Sequence, residues 1–297
     1  MSLLPVSYVI ITRNRSDELF GCLENLQKQA YPDKEIVVVD NGSTTYDPQE
    51  ITHSFPEITL IALDHNQGVG GGRNIGTQHA SADICIFLDD DARFCDPDAS
   101  RQIVTYFQRN PKLACLALRI LNATTGEDEH KAIPRADKKS LPRDYSCTYF
   151  CGAGFALRRK VFHEMGNFWE ELIYSCEELD LSYRLLDHGF ELLFTSSIKV
   201  LHRDSSNARP NGQWIYYNAR NRFWLATRHL PWFYVFTTTL QWWFIAAGKG
   251  LRYNQTRSFF QGVRDALLGI KIPLLKRKRL KKATIKKLRR LSGRLWS

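Results

Sequence analysis

Three consecutive carboxylates, Asp89, Asp90 and Asp91, directly follow an apolar run at 84–88. The run Ile-Cys-Ile-Phe-Leu is typical of a strand buried on both faces, so the acids fall where that strand ends. Adjacent carboxylates repel one another and are favoured only at a solvated sheet edge, where a hard divalent cation can offset their charge. The triplet therefore predicts either a divalent-metal site or, with no chemistry implied, an acidic turn after a strand.

A second acidic group, Glu177, Glu178 and Asp180, opens a segment whose apolar residues recur at helical spacing as far as Leu186. Ser175 is placed to cap this helix, and the helix dipole favours acids in the first turn, which accounts for them without any chemistry. Three acids are more than a cap requires. This excess favours a functional role for the acids.

Three other segments supply further groups for a site at the strand ends. His202 follows a short strand predicted at 198–201; a lone histidine is usually structural, but one at a strand end can ligate a divalent ion beside carboxylates. The polar stretch 122–146 has few apolar residues and predicts a long loop over the site. The apolar stretch 149–157 predicts a strand, and its two glycines favour close approach of a ligand.

Strands and helices alternate through the first half of the chain, with strands predicted at 6–11, 36–39, 59–63 and 84–88. This alternation predicts an α/β fold in which helices cover both faces of a mixed, mainly parallel sheet. Such sheets bind ligands outside the carboxyl ends of their strands. Beside the acid triplet, those ends supply the polar residues Thr12, Arg13, Asn14 and Asp40.

The glycine-rich segment 66–74 ends in Arg73 and Asn74. It does not fit GxGxxG counted from Gly68 or from Gly70, and it lacks the lysine of a P-loop, which disfavours a dinucleotide-dependent dehydrogenase. Glycines beside an arginine nevertheless suit close approach of the backbone to a diphosphate, with the guanidinium as a forked donor. The alternative for this segment is a flexible loop.

The motifs, taken in order, resemble those of glycosyltransferase family 2, which comprises inverting enzymes of the GT-A fold. The resemblance spans about residues 5–270 and is closest to the rhamnosyltransferase-like bacterial branch. Each motif is weak alone, and their order and spacing make the resemblance specific. The motifs are TRNR after the first strand, VDNGS after the second, the Asn-Gly-loop-Arg-Asn segment, LDDDA, GAG, EELDLSYRL and the late VLH.

The resemblance implies a nucleotide-sugar donor, with the base and ribose near the first two strand ends and the diphosphate near Arg73. The residues that it assigns to donor binding are Thr12, Arg13, Asn14, Asp40, Asn41, Arg73, Asn74, Asp89, Asp90, Gly152, Ala153 and Gly154.

The resemblance also implies catalytic and metal-binding roles. Asp89 and Asp91 match the ends of the family's DxD motif, and with His202 they are the residues expected to hold Mg²⁺ or Mn²⁺. The family pattern reads Glu-Asp where this chain reads Glu-Glu at 177–178. Glu178 is therefore the expected base, and Glu177 and Asp180 are the alternatives.

The net charge of +10 is concentrated near the C-terminus, because residues 276–294 hold eleven Lys and Arg residues and no acid. Charge of this kind bears on location more than on chemistry. Apolar residues lie among these cations at helical spacing, which predicts a cationic amphipathic tail on an anionic membrane surface; the alternatives are a solvated, disordered tail and, disfavoured by the near-neutral remainder, nucleic-acid binding. These apolar residues are Ile285, Leu288, Leu291 and Leu295.

The aromatic stretch 231–247 is uncharged over about the length of a bilayer crossing, but its Thr and Gln residues favour an interfacial helix over a spanning one. The seven cysteines have no CxxC spacing, and the run at 6–11 is too short for a signal peptide. We therefore expect a cytoplasmic protein, peripheral on the inner face of the cell membrane. Its predicted parts are a GT-A catalytic domain (1–225), an aromatic helical region (226–275) and a basic tail (276–297).

Together these features predict an inverting, metal-dependent glycosyltransferase that moves a hexose, with rhamnose as one option, from a nucleotide-diphosphate donor to a hydroxyl of a lipid-linked or growing glycan acceptor. A sugar-nucleotide pyrophosphorylase is one alternative, but it would carry a glycine-rich basic loop where this chain has TRNR. A non-catalytic membrane scaffold with a degenerate nucleotide site is another. It would not require separate carboxylates at 89–91 and 177–180.

Overall fold

The computed structural model describes residues 4–203, 211–291, 293 and 295. Arg294 of the predicted basic tail lies outside this part of the chain. The described strands are β1 (Val6–Thr12), β2 (Lys34–Asp40), β3 (Thr59–Ala62), β4 (Ile84–Asp89), β5 (Ala92–Phe94), β6 (Leu113–Asn122), β7 (Tyr145–Ser146), β8 (Gly154–Arg158) and β9 (Glu191–His202). The described helices are α1 (Ser16–Gln27), α2 (Gln49–Ser54), α3 (Gly68–His79), α4 (Ala99–Arg109), α5 (Arg159–Glu164), α6 (Glu177–Asp187), α7 (Asn211–His229), α8 (Trp232–Arg252), α9 (Thr256–Leu268), α10 (Lys271–Leu275) and α11 (Lys282–Arg290).

One sheet runs through the protein in the order β3-β2-β1-β4-β8-β6-β9-β5, with β7 paired to β9. The first four strands in this order are parallel, and β6 and β9 are also parallel. Strand β8 runs antiparallel to both β4 and β6 and joins the two parallel parts. The predicted mixed α/β fold is therefore confirmed.

Side chains of β4 alternate between two apolar clusters on opposite faces of the sheet. Cys85 and Phe87 belong to one cluster, in which Phe87 stacks on Phe155 of β8 with ring centroids 4.6 Å apart. Ile86 and Leu88 belong to the other cluster. Because successive side chains of a strand point to opposite faces, an apolar run such as this one requires cover on both sides. The acids at 89–91 begin only where the two apolar clusters end.

The glycine-rich segment is helical, so the flexible-loop alternative is wrong. Helix α3 begins at Gly68 and includes every glycine of the run. A Cβ atom at Gly76 would lie 2.5 Å from Val9 of β1, and one at Gly72 would lie 3.1 Å from Ile11. The missing side chains therefore let α3 pack closely on the sheet. This close packing brings Arg73 to the carboxyl ends of the strands.

Two local predictions need correction. The strand predicted at 149–157 begins only at Gly154, because the preceding backbone turns toward the strand ends, where Gly152 O accepts from Arg73 Nη2 at 2.8 Å. Ser175 does not cap α6: the helix begins at Glu177, after Cys176 in the left-handed region, and neither residue makes a side-chain capping bond.

The C-terminal helices pack on one another and back onto the sheet domain. Helix α7 contacts α8, α9 and α10, and residue 225, the predicted domain boundary, falls inside α7. In the described part of the chain, no helix is both long enough and apolar enough to span a bilayer. The division into three parts stays a prediction.

The predicted amphipathic helix of the basic tail exists as α11, but its apolar side faces protein. Leu288 is fully buried and, with Leu280 and Leu295, belongs to the apolar cluster that contains Phe87. Thr284 Oγ1 donates to Asp187 Oδ1 of α6 at 2.7 Å. The expectation that Leu288 and Leu295 face a membrane is therefore wrong, because the protein core already holds them.

Candidate active site

The carboxyl ends of β1, β2 and β4 bring the predicted polar residues to one edge of the sheet. Thr12 lies opposite Asp40 in the β1–β2 pairing, and Ile11 lies opposite Asp89 in the β1–β4 pairing. Thr12 Oγ1 donates to Asp90 Oδ2 at 2.8 Å. The predicted convergence of three strand ends is observed, and it follows from the parallel register.

Asp89, Asp91 and His202 form a compact group whose ligand atoms all lie within 4.8 Å of one another. His202 Nε2 lies 3.4 Å from Asp91 Oδ1 and 3.9 Å from Asp89 Oδ2. Asp91 Oδ1 is buried without a hydrogen bond of good geometry. Two carboxylates and an imidazole suit Mg²⁺ or Mn²⁺, and the otherwise unsatisfied carboxylate oxygen fits a cation at this place.

Glu129, in the loop between β6 and β7, contacts the other side of the His202 ring. The His202 Nδ1 to Glu129 Oε2 distance is 2.7 Å. A carboxylate in this position fixes the ring and leaves Nε2 directed at the aspartates. The composition of 122–146 predicts a loop over the site. The position of Glu129 could not be predicted, because an irregular loop carries no periodicity that places a side chain.

Arg15, also absent from the predicted site, pairs with two of the aspartates. Its Nη1 lies 3.1 Å from Asp90 Oδ1, and its Nη2 donates to Asp91. Its position two residues beyond Arg13 in the TRNR motif is the signal that could have identified it. The guanidinium offsets part of the charge that three adjacent carboxylates accumulate.

Neighbouring charges and burial set the ionisation of this group. Burial raises the pKa of Asp90 to about 7, against the opposing effect of Arg15. Burial would also raise the pKa of Asp91, but His202 and Arg15 hold that pKa below its ordinary value. Burial would lower the pKa of His202, yet its bonds to Asp91 and Glu129 and the charge of Asp89 raise the pKa to about 11. The imidazolium and Arg15 thus balance the acids in the absence of a cation.

Arg73 connects the aspartates to the second acidic group. Its side chain is buried, and Nη2 donates to Asp89 Oδ1 at 3.0 Å while Nη1 lies 3.4 Å from Glu178 Oε1. The guanidinium also lies over the rings of Phe155 and Phe168, 5.3 and 5.9 Å from their centroids. Held on all sides, this arginine fixes the separation of the two carboxylates.

The three acids of α6 have different environments. Glu178 is partly exposed and lies at the site edge, where a Cβ atom at Gly152 would come within 2.4 Å of its Oε1. Glu177 is buried. Asp180 is fully buried and bonds to three cationic or polar side chains of α6 and α7: Arg184 at 2.6 Å, Arg228 at 2.9 Å and His229 at 2.7 Å. This geometry favours Glu178 as the base and gives Asp180 a structural task.

Some of the remaining predicted donor residues lie at the site, and others bond to neighbouring backbone. Asp40 lies at the site, where its carboxylate accepts from the Tyr46 hydroxyl at 2.6 Å, and Arg13 is exposed beside it. Asn14 and Asn41 hold neighbouring backbone: Asn14 Oδ1 accepts from Thr44 N at 2.7 Å, and Asn41 Nδ2 donates to Gly68 O at 2.9 Å.

Asn74 does not point to the strand ends. Its amide nitrogen donates to Phe168 O and Glu170, and its amide oxygen accepts from Phe168 N at 2.9 Å. Both ends of the side chain are therefore used in fixing α3 to the segment 168–170. Of the predicted GAG motif, Gly152 borders Glu178, whereas Ala153 is buried and Gly154 packs against the sheet core.

The chain matches the family model described as Glycosyl transferase family 2 over residues 7–166. It belongs to this family. It is 26% identical over 224 residues to the O-antigen chain rhamnosyltransferase RfbN of Salmonella typhimurium, which covers 71% of this chain and 70% of RfbN. It is 23% identical over 255 residues to the O-antigen biosynthesis protein RfbC of Myxococcus xanthus, which covers 77% of this chain but only 20% of RfbC. The chain thus spans a fifth of that longer relative.

Solved structures of glycosyltransferases share the fold of this protein. The crystal structure of GalNAc-T7 with UDP, GalNAc and Mn²⁺ superposes with a TM-score of 0.65 and 16% identity, over 92% of this chain and 57% of that chain. At this identity the likeness establishes the GT-A fold. The predicted family, fold class and enzyme class are confirmed, and membership of this family disfavours the pyrophosphorylase alternative.

Proposed function

We propose that this glycosyltransferase moves a sugar from a nucleotide-diphosphate donor to an acceptor hydroxyl with inversion at the anomeric carbon. One observation carries the proposal: Arg73 bonds both to Asp89 of the candidate metal group and to Glu178. Positive charge stabilises the departing diphosphate, and a base accepts the proton of the attacking hydroxyl. This protein holds the groups for both tasks on either side of one buried guanidinium.

The donor is proposed to lie along the strand ends. Asp40 and Arg13 border the place for the base and ribose, and Gly152 borders the place for the sugar. Mg²⁺ or Mn²⁺ bound by Asp89, Asp91 and His202 would neutralise charge on the departing diphosphate. UDP, GalNAc and Mn²⁺ occur together in a structural neighbour, so uridine diphosphate sugars are the first donors to test.

Glu178 is proposed to accept the proton of the acceptor hydroxyl as that oxygen attacks the anomeric carbon. The new carbon–oxygen bond forms as the bond to the diphosphate breaks, and the nucleotide diphosphate leaves with the electron pair. Attack from the face opposite the leaving group inverts the anomeric centre. Arg73 keeps Glu178 in position and cannot take the proton itself, because a guanidinium stays protonated.

The acceptor is proposed to be lipid-linked or a growing glycan, presented at an anionic membrane on its cytoplasmic face. The surface of α8–α10 supports membrane contact. Every exposed large apolar side chain in the described part of the chain lies between 232 and 275. On α8 these residues recur at helical spacing along one side. They are Trp232, Phe233, Phe236, Leu240, Phe244 and Leu251.

Exposed cations accompany this apolar surface, which matches the combination that anionic bilayers bind. They are Arg252, Arg257, Arg264, Lys271 and Lys276. Membrane contact is therefore assigned to α8–α10, with the basic tail adding charge but not apolar contact.

The direct test is release of nucleotide diphosphate from UDP-, dTDP- and GDP-sugars by purified protein with Mn²⁺ and lipid-linked saccharides in vesicles. One donor is expected to give metal-dependent release coupled to a glycosylated product of inverted configuration, which proton NMR identifies. A product that retains the donor's anomeric configuration would contradict the proposed mechanism.

A further inference from the structure

The turn that precedes α6 has an unusual backbone. Ile173, Ser175 and Cys176 have φ angles of 61°, 70° and 77°. At Ile173 the ψ angle is −52°, and Tyr174 N donates to Leu172 O at 2.6 Å, which makes this a γ-turn of the rare positive-φ type. A β-branched residue with positive φ is a conformational outlier. Three residues with positive φ within four positions need support from the surrounding structure.

Asn221 of α7 provides that support from one side. Its buried amide nitrogen lies within hydrogen-bond distance of three turn carbonyls, at 2.9 Å from Leu172 O, 2.7 Å from Tyr174 O and 2.9 Å from Ser175 O. Arg220 Nε donates to the amide oxygen at 2.9 Å and so fixes which end of the amide faces the turn.

Arg220 and α3 complete the enclosure of the turn. Arg220 Nη2 donates to the carbonyl oxygens of Glu171 and Leu172 at 2.9 and 3.0 Å. From the opposite side, Val69 N at the start of α3 donates to Ile173 O at 2.7 Å, and a Cβ atom at Gly68 would lie 2.5 Å from that oxygen. The turn is therefore held between the helix that carries Arg73 and the helix that carries Asn221.

We propose that Asn221 is a positioning residue for Glu178. It holds the strained turn 172–176 in the one conformation that starts α6 at Glu177 and directs Glu178 at Arg73. The inference rests on the proposed function, since it deepens the account of how the base is placed. Residues that favour negative φ would otherwise relax, and the start of α6 would move with them.

Replacing Asn221 by Ala removes the donors and leaves the turn free to relax. Glu178 then loses its place at the acceptor, while the donor residues on β1, β2 and β4 keep theirs. The expected result for Asn221→Ala is a fall in kcat of about tenfold to hundredfold, because a displacement near 1 Å costs that much, with the donor KM changed less than about twofold.

Two further variants separate positioning from general stability. Ser7→Ala removes another buried hydrogen-bonding side chain, whose hydroxyl accepts from Ala82 N at 3.1 Å at the start of β1, the end of that strand opposite the site, and it should leave kcat near the wild-type value. Ile173→Gly in the Asn221→Ala background should restore most of kcat, because glycine adopts positive φ without support. This double variant also keeps the test open if Asn221→Ala alone does not fold.

Amide hydrogen exchange of residues 171–178, measured on the full chain without substrate, tests the support directly. Faster exchange there in Asn221→Ala but not in Ser7→Ala, with kcat reduced and then rescued by Ile173→Gly, supports the proposal. Unchanged exchange, unchanged kcat, or a double variant no better than Asn221→Ala would overturn it. If the wild type releases no nucleotide diphosphate from any donor, the proposed function fails and the role toward Glu178 with it, while exchange still decides whether Asn221 holds the turn.

Discussion

At the scale of single residues, carboxylates that are equivalent candidates in the sequence differ in burial and in their charged neighbours. Glu178 is partly exposed beside Arg73, whereas Asp180 two positions later is fully buried among Arg184, Arg228 and His229. A general base must reach the substrate hydroxyl whose proton it accepts. A buried carboxylate enclosed by cations cannot. The same chemical group thus serves the fold at Asp180 and is proposed to serve the reaction at Glu178.

Substituting Glu178 by Gln should abolish transfer but not donor binding. The amide keeps the shape of the side chain and cannot accept the hydroxyl proton, so kcat should fall by about 10²–10⁴-fold. Steady-state release of nucleotide diphosphate and calorimetric donor binding measure the two quantities. Glu164→Gln, on an exposed position of α5, is the matched control. A Glu178→Gln protein with full activity would exclude this residue as the base.

The sequence predicted the strand-end residues of the site well and the supporting residues poorly. Thr12, Asp40 and Asp89 could be placed together because parallel strands end at a common edge. Glu129 could not be identified, because it lies in an aperiodic loop. Asn221 lies in a helix, and its spacing in the sequence does not show which turn its side chain contacts. Sequence spacing gives the face of an element, whereas the contacts of each side chain depend on the tertiary fold.

At the scale of elements, α6 is anchored at its buried side by Asp180. Burial would raise the pKa of this carboxyl, but Arg184, His229 and Arg228 outweigh it and hold the pKa far below its ordinary value. A depressed carboxyl pKa contributes stability that is present above the unfolded-state pKa of about 3.9 and is lost as pH falls below it.

Asp180→Asn should therefore lower the free energy of unfolding at pH 7 by about 3–5 kcal/mol, because it leaves buried cations without their partner. The difference from wild type should shrink as pH falls below about 4, since the wild-type protein loses the same contribution there. Urea denaturation at pH 7 and pH 3.5 measures both effects. A difference that is constant with pH would contradict this assignment.

Helix α11 shows how an amphipathic pattern can be correctly predicted and its partner wrongly assigned. Leu288 is fully buried against the sheet domain, whereas Leu275 is 88% exposed. Leu288→Ala should cost about 2–5 kcal/mol of unfolding free energy, and Leu275→Ala should cost little. Chemical denaturation of both variants decides the matter. Equal stabilities would show that the tail does not pack as described.

At the scale of the whole molecule, the candidate active site and the proposed membrane-contact surface occupy different parts. Polar groups gather at the strand ends, and exposed apolar groups gather on α8–α10, with α7 packed between the two regions. The composition of 231–247 favours an interfacial helix over a spanning one, and these residues lie in α8, which exposes large apolar side chains along one side. Its length and its packing against α9 could not be read from composition, since they depend on where neighbouring helices bury its other side.

Replacing Phe236 and Phe244 together by Ser should release the protein from anionic vesicles. Both side chains are exposed, at 65% and 82%, so folding stability should not change. Loss of two inserted aromatic rings should reduce vesicle partitioning by about tenfold or more, as measured by flotation. Glu24→Ser with Lys28→Ser, at exposed positions in α1 and directly after it, is the control pair. Unchanged partitioning of the Phe variant would exclude α8 as the contact surface.

The central claim is that a nucleotide-sugar donor binds at the strand ends through a metal held by Asp89, Asp91 and His202. Its most direct test is thermal unfolding of the purified protein with UDP, dTDP, GDP and their sugar conjugates, with and without Mn²⁺, for the wild type and Asp91→Ala. A ligand that binds only the folded state at about 100 times its Kd should raise Tm by about 5 °C. We predict such a rise for one nucleotide, only with Mn²⁺ and only in the wild type. No rise with any nucleotide, from protein shown to be folded, would contradict the account and favour a non-catalytic membrane scaffold.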